Sequence, residues 1–484
     1  MKKILAFIIV ISLALSLVAC GATNDENYTL SKDVERKSIV KGVMTEIDSE
    51  DPILEKSYAS WLDTCVLYEV NVRQYTEEGT FKDFEGHLQR LKDMGINTLW
   101  FMPIHPISET ERKGTLGSYY AVDDYMAVNP EFGTMEDFQH LVDTAHEMGF
   151  KVVLDWVANH TGWDNKWIDE HKDWYKLDDD GEVISPYDWT DVAQLDYDNY
   201  KMRAEMIKCM QYWVEEVGVD GFRCDHAIGV PANFWNAAVY KLKSINSEIM
   251  MLAETSATES LTSYAFDSCY NDILYGQAVS VKDGIAPSTV LDGVAIDPNY
   301  PEKSFPMNFL DNHDKNSYEG SIVERYQKTL EPLLALTYIA PGYPLIYTSN
   351  EQGYDHAIEF FEKDAVKWDE NPKYAKFIKE LSALKAENKA LYSSNRDLEV
   401  LEVSNSHIVG FSRTNGDNKV IFLSNLYYDK VDDIEVELGF DKATCAIHYD
   451  GEKFDFEDKE ITAKGFDKKV YNPYEFYIIT VDAQ

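Results

Sequence analysis

Arg223 and Asp225 close an apolar run, Val219-Asp220-Gly221-Phe222-Arg223-Cys224-Asp225-His226. In a strand, side chains at i and i+2 share a face, so the guanidinium lies beside the carboxylate. A neighbouring cation lowers a carboxylate's pKa, which predicts that Asp225 stays ionised and available as a nucleophile. The alternative is a strand-end ion pair with no chemistry. Other apolar runs end in the same way. Phe150 to Val157 leads into Ala158-Asn159-His160 and carries Asp155, Met250-Met251-Leu252-Ala253 runs into Glu254, and Phe309-Leu310 leads into Asp311-Asn312-His313-Asp314. Ionised groups gathered at one place repel unless function holds them there. Two carboxyls facing each other across a sugar bond are the minimum for glycoside hydrolysis, one ionised and one protonated. Arg223 would keep Asp225 charged, and the apolar residues before Glu254 would hold its proton. Asp314 would add negative charge near an oxocarbenium-like transition state, with His160 and His313 as neutral donors to sugar hydroxyls.

These groups meet only if the elements carrying them converge. From Cys65 to about residue 390, strand-like and helix-like segments alternate. Strands are expected at Val66–Val70, Ile96–Pro103, Phe150–Val157, Val219–Arg223, Ile249–Ala253, Ser304–Leu310 and Pro344–Tyr347, with a sixth somewhere in Ala265–Gln277. Helices are expected at Phe84–Met94, Met135–Met148 and Met202–Val217, the first two ending at Gly95 and Gly149. Repeated strand–helix units imply a parallel sheet with right-handed crossovers, and about eight of them favour a closed (β/α)8 TIM barrel. In such a barrel the strand ends share one mouth. The α/β pattern is broken at 160–199, a Trp- and Asp-rich stretch read as a small inserted subdomain, subdomain B. The barrel then comprises 56–159 and 200–393. Short apolar runs divided by turns follow, so 394–484 is expected to be a C-terminal antiparallel β-domain, a β-sandwich.

The four segments resemble, in order, the short motifs of the α-amylase family, glycoside hydrolase family 13. They are Asp155-Trp156-Val157-Ala158-Asn159-His160, Gly221-Phe222-Arg223-Cys224-Asp225, Glu254 after its strand, and Asn312-His313-Asp314. Gly117-Ser118-Tyr119-Tyr120-Ala121-Val122-Asp123-Asp124-Tyr125 is similar to that family's loop carrying a sugar-stacking tyrosine, with Tyr120 in that place. The resemblance implies a retaining mechanism on α-1,4-linked glucans such as starch or maltodextrins. Asp225 is then the nucleophile, Glu254 the acid and base, and Asp314 the transition-state stabiliser. Tyr120, Asp155, His160, Arg223 and His313 bind the same sugar. Transglycosylation or isomerisation of α-glucosides by the same intermediate is the alternative, and a non-catalytic glycan-binding surface protein a third. That last reading gives no reason to keep Asp225, Glu254, Asp314 and Arg223 together.

Two places depart from the family's pattern. Many members carry Lys-His three and four residues past the nucleophile, whereas Ile228 and Gly229 stand here. Many bind structural calcium between the Asn of the first motif and an Asp closing the inserted subdomain. Asn159 is present, but Gln194 takes the other place, and an amide in place of a carboxylate weakens a hard-cation site. The expected chemistry needs no cofactor, and structural Ca2+ remains an option. In the insert, Trp163, Trp167, Trp174, Tyr175, Tyr187 and Trp189 either stack on sugar or pack a subdomain with little aliphatic core. Trp213 and Trp235 read as core.

A net charge of -40, from 45 Lys+Arg and 85 Asp+Glu, argues against nucleic acid or anionic lipid surfaces as partners. Lys2 and Lys3 followed by an apolar run to Leu17 read as a signal peptide. Leu17-Val18-Ala19-Cys20-Gly21 is similar to a bacterial lipoprotein processing site, which implies lipidation at Cys20. Residues 1–20 are then removed or anchored, and the polar, acidic 21–55 is a flexible tether. The expectation is a monomer held by lipid on the outer face of a bacterial cell membrane, with α-glucan as partner. Five cysteines remain (65, 209, 224, 269 and 445), mostly in apolar runs, and read as buried thiols without metal-ligand spacing.

Overall fold

The computed structural model describes residues 56–481, apart from 284, 433 and 467–469. The expected signal segment, the tether and Cys20 lie outside the described residues. Eight strands form a closed parallel barrel: β1 (Leu67–Val70), β2 (Thr98–Phe101), β3 (Lys151–Trp156), β4 (Gly221–Cys224), β5 (Met250–Ala253), β6 (Ser268–Tyr270), β7 (Phe305–Asn308) and β8 (Tyr343–Tyr347). Each pairs with its sequence neighbour and β8 closes onto β1, with Leu67 opposite Leu345. The strands are buried almost throughout, which is why they read as continuous apolar runs. Their inward side chains, Leu67, Trp100, Val153, Leu252, Met307 and Leu345 among them, fill the barrel.

Two buried aspartates set the strand starts. Asp220, one residue before β4, accepts from Val152 N at 2.9 Å, Lys151 Nζ at 2.8 Å and His146 Nε2 at 2.7 Å. Asp267 does the same before β6, taking Met251 N and Lys243 Nζ, each at 2.9 Å. These bonds, with Asp155 opposite Arg223 in the β3–β4 ladder, hold the strand ends in register. Gly221 permits the close approach of β4 to β5, since a Cβ there would lie 2.5 Å from Met250 O.

The helices differ from expectation at two places. The stretch 84–94 is two short helices, Phe81–Glu85 and Leu88–Asp93, divided at Gly86 and His87. The stretch 202–217 is an α-helix, Tyr200–Tyr212, that widens into a π-turn over Trp213–Val217 before Gly218 at φ 84°. Met135–Glu147 runs as expected, with a capping box between Thr134 and Asp137. The sixth strand has only three residues, which explains its weak sequence signal.

Subdomain B holds one two-stranded antiparallel ladder, His160–Gly162 with Val192–Gln194. Trp167, Trp174 and Tyr175 are buried in it, while Tyr187 is 74% exposed. Trp213 and Trp235 are fully buried, as expected; Cys65, Cys209, Cys224 and Cys269 are buried free thiols, and Cys445 is buried as well.

The C-terminal region is antiparallel, but its described strands form one seven-stranded sheet rather than a sandwich. The strands are β9 (Glu399–Val400), β10 (Ile408–Asn415), β11 (Asn418–Asn425), β12 (Lys442–Tyr449), β13 (Phe454–Asp455), β14 (Lys459–Thr462) and β15 (Phe476–Val481). No second sheet is needed, because both faces are covered by other means. Phe454 and Phe476 pack against Phe377 of the barrel helix Ala375–Glu387. Ile421, Leu423, Tyr477 and Ile479, on the other face, pack against loop residues Val431, Ile434, Val436 and Leu438. Among the described residues no helix is long and apolar enough to cross a membrane.

Candidate active site

Arg223, fully buried at the end of β4, is the hub of the barrel mouth. Its Nη1 lies 2.8 Å from Asp155 Oδ1 of β3 and 3.2 Å from Asp225 Oδ1, and its Nη2 lies 2.7 Å from Glu254 Oε1 just past β5. Its Nε donates to the Tyr270 hydroxyl of β6 at 3.2 Å. Trp100 of β2 flanks the guanidinium at 5.1 Å and donates Nε1 to Asp155 Oδ2 at 3.2 Å. Five adjacent strands therefore contribute to one ion cluster.

A second chain of bonds enters from β7 and β1. His313 opens the short helix His313–Glu319, capped by Asn312, whose side chain accepts from Lys315 N at 2.8 Å. Its Nδ1 meets Glu69 Oε1 of β1 at 2.5 Å and its Nε2 meets the Tyr120 hydroxyl at 2.8 Å. Tyr120 donates onward to Asp155 Oδ2 at 3.1 Å, and its ring stacks on His313 with centroids 5.4 Å apart. Asp314, half exposed, is 3.5 Å from His313 Nε2. All eight expected groups, Tyr120, Asp155, His160, Arg223, Asp225, Glu254, His313 and Asp314, therefore gather at the strand ends.

The protonation pattern differs from the sequence expectation in two respects. Burial pushes Asp225 well above the usual carboxylate range, Glu254 adds to this, and Arg223 only partly opposes it. Arg223 is shared among three carboxylates, so it offsets only part of that burial. Burial likewise raises Asp155 despite Arg223. His160 is neutral as expected, driven down to about 3 by burial and the nearby His226. His313 is not neutral: burial disfavours its charge, yet Asp314 and Glu69 outweigh that and lift it to about 9. Glu69 is raised by its own burial to about 7. A charged His313 donates from both nitrogens, so Tyr120 accepts from Nε2 and is free to donate to Asp155.

Glu69 was not anticipated from the sequence, although a lone acid inside the run Val66–Val70 was its signal. Around the Ile228–Gly229 departure, His226 sits at φ 42° and donates its backbone N–H to Glu254 Oε2 at 2.7 Å. Its ring faces Trp189 at 5.3 Å and Tyr187 at 5.7 Å, and Tyr187 lies 5.0 Å from Trp189. Subdomain B thus lends Tyr187 and Trp189 to the mouth and keeps Trp167, Trp174 and Tyr175 as core. Trp163 donates Nε1 to Thr190 O at 2.9 Å within the insert. Cys224, between Arg223 and Asp225, is buried in the wall.

At the place of the calcium expectation, Asn159 turns its amide nitrogen to His160 Nδ1 at 3.2 Å. Gln194 pairs with His160 across the two-stranded ladder, and the nearby Asp196 is committed to Lys176 at 2.5 Å. Among the described residues no three His, Cys, Asp or Glu side chains are grouped as metal ligands. A hard dication asks for several carboxylate or carbonyl oxygens, so these side chains do not fit it.

Residues 53–191 and 186–432 match the family described as alpha amylase, catalytic domain. The chain is similar to a crystal structure of an alpha-amylase from Lactobacillus plantarum, with 29% identity and a TM-score of 0.75 over 87% of this chain and 99% of that one. It is 24% identical over 426 residues to the alpha-amylase MalA of Haloarcula japonica, covering 84% of this chain and 62% of the relative. It is 25% identical over 397 residues to an alpha-1,4-glucan:maltose-1-phosphate maltosyltransferase of Salinibacter ruber, covering 74% and 58%. The chain thus spans about three fifths of these two relatives.

Proposed function

Because this chain belongs to the alpha-amylase family, we propose that it is a retaining glycoside hydrolase of α-1,4-glucosidic bonds in starch or maltodextrins. The observation that carries this reading is Arg223 ion-paired at once with Asp155, Asp225 and Glu254 on neighbouring strand ends. Asp225 attacks the anomeric carbon while Glu254 gives its proton to the glycosidic oxygen, and the C–O bond breaks. Glu254 then takes a proton from water, whose oxygen displaces Asp225 with the original anomeric configuration restored. Asp314 stabilises the positive charge of the transition state, and Arg223 orients the nucleophile Asp225. Tyr120, Asp155, charged His313 and neutral His160 hold the sugar hydroxyls. Digestion of soluble starch, pullulan and maltooligosaccharides tests this: short α-anomeric maltooligosaccharides are expected, and initial β-anomers would exclude retention.

Transfer to a sugar acceptor is the second reading, favoured by the Tyr187–Trp189–His226 wall beside Glu254, which offers ring faces to an acceptor sugar. Products longer than the starting maltooligosaccharide would make it the main reaction.

We also propose lipid anchoring at Cys20, on the basic and apolar leader and the Leu17-Val18-Ala19-Cys20 sequence, with a cell-surface monomer as the result. Cys20→Ser is then expected to leave the detergent phase and enter the medium. No cofactor enters the proposed chemistry, and full activity after EDTA treatment and dialysis is expected.

A further inference from the structure

We propose that Tyr427 and Tyr428, backed by His407, form a second α-glucan-binding surface, on the C-terminal sheet. This rests on the substrate class proposed above. The three rings form a stack: His407 and Tyr427 have centroids 3.7 Å apart at 10°, and Tyr427 and Tyr428 have centroids 4.1 Å apart at 35°. Tyr428, at the outer end, is 58% exposed. The two hydroxyls bond to each other at 2.8 Å, so the rings are fixed by stacking and by their rims.

The loop beneath is built to hold them. Asn425, the last residue of β11, is fully buried, and its Oδ1 accepts from Tyr427 N at 3.1 Å. Its Nδ2 donates to Asp429 O and Asn472 O, each at 2.9 Å, tying the tyrosine loop to the turn before β15. In that turn Tyr474 adopts φ 63°, a conformation that a tyrosine takes only where its surroundings impose it. On the other side, Leu426 N donates to His407 O at 3.2 Å, and Ser288 N of the barrel donates to Ser406 O at 3.2 Å. An exposed aromatic ring such as that of Tyr428 normally costs solvation and, on binding, rotamer freedom, and here the loss of freedom is already built in by the half-buried Tyr427 behind it.

The chemistry selects the occupant. The C–H face of a pyranose stacks on an aromatic ring, while its equatorial hydroxyls reach the ring's polar rim and neighbouring acids. Here the rim carries the two linked phenols, and Asp429 follows Tyr428. A chain of charge -40 excludes polyanions. A polymeric substrate held here raises its effective concentration at the barrel mouth of the same chain without any new catalytic contact.

Full-length chain carrying Asp225→Asn is sedimented with granular starch, with and without Tyr428→Ala or the Tyr427→Ala/Tyr428→Ala pair. Starch retention is expected to fall at least about fivefold. Tyr428→Phe, which keeps the ring, is expected to retain most of it, and Tyr428→Ser replaces the alanine variant if that one melts early. In chains with Asp225 intact, kcat/KM on maltotriose is expected to be unchanged by these substitutions. Unchanged starch retention overturns the proposal, as does lost retention accompanied by a change from dimer to monomer in light scattering, which would make the surface a contact between copies. If the parent chain hydrolyses no α-glucan but tyrosine-dependent retention persists, the hydrolase reading fails and the binding surface stands.

Discussion

Five carboxyl groups, Glu69, Asp155, Asp225, Glu254 and Asp314, share the mouth with two cations, Arg223 and His313. Such a site holds protons at neutral pH because it cannot disperse the surplus charge, and a retaining mechanism needs one such proton on its acid. The raised Asp225 must lose its own proton to attack, so kcat/KM is expected to fall on the acid side at a pH above the usual aspartate range. Asp225→Asn is expected to lower activity by about 10⁴-fold or more. It is also expected to raise the melting temperature by about 1–3 °C. The sign follows from linkage. A folded pKa above the unfolded value means that stability falls as pH rises between the two, and asparagine removes that loss. Unchanged melting at neutral pH would mean that the buried charge costs the fold nothing. Glu69→Gln removes one of the two acids that keep His313 protonated. The alkaline limb of activity, set by His313 near 9, is expected to move to lower pH while KM for maltotriose changes less than kcat. An unmoved limb would assign it to another group.

At the scale of elements, the site depends on how each strand end is turned. The segment after β4 bends through His226 in the left-handed region so that its N–H reaches Glu254, and Gly229 makes room for that bend. A Cβ at Gly229 would lie 2.4 Å from His226 Cδ2 and 2.8 Å from Asn159 Oδ1. Gly229→Ala is therefore expected to displace His226 and with it Glu254, lowering kcat about 10–100-fold, since misplacement by about 1 Å is worth that much. The barrel itself should stay folded, which a circular dichroism melt checks. Normal kcat in the alanine variant would show that the loop has slack.

For the whole molecule, the junction of barrel and C-terminal sheet carries two buried cations. Lys385 donates to Gly342 O at 2.9 Å and Leu391 O at 2.8 Å, and Arg413 of β10 donates to Ile339 O at 3.1 Å. Burial, aided by Arg413, drives Lys385 down to about 7. Because the unfolded lysine titrates much higher, the unfolded state binds more protons above pH 7, and stability rises with pH there. The melting-temperature advantage of Lys385→Met over the parent is expected to shrink as pH rises from 7 towards 10. A pH-independent difference would mean that Lys385 is already satisfied as a cation.

Local sequence determined which strands end in charge, because period-2 geometry and apolar runs are properties of adjacent residues: Asp155, Arg223, Asp225, Glu254 and Asp314 were legible on that ground alone. It also determined the barrel, since alternating strand and helix runs leave little other topology. Tertiary structure decided everything that depends on who else reaches the same point. Asp225 is raised instead of lowered because the fold buries it and sets Glu254 beside it, which Arg223, serving three acids across β3, β4 and β5, only partly offsets. His313 is charged because Glu69, some 240 positions away, adds to the pull of its sequence neighbour Asp314. The C-terminal strands form one sheet because a barrel helix and loops already cover its faces, and no property of those strands alone carries that information. Burial and long-range charge are sums over neighbours, and neighbours are what the fold supplies.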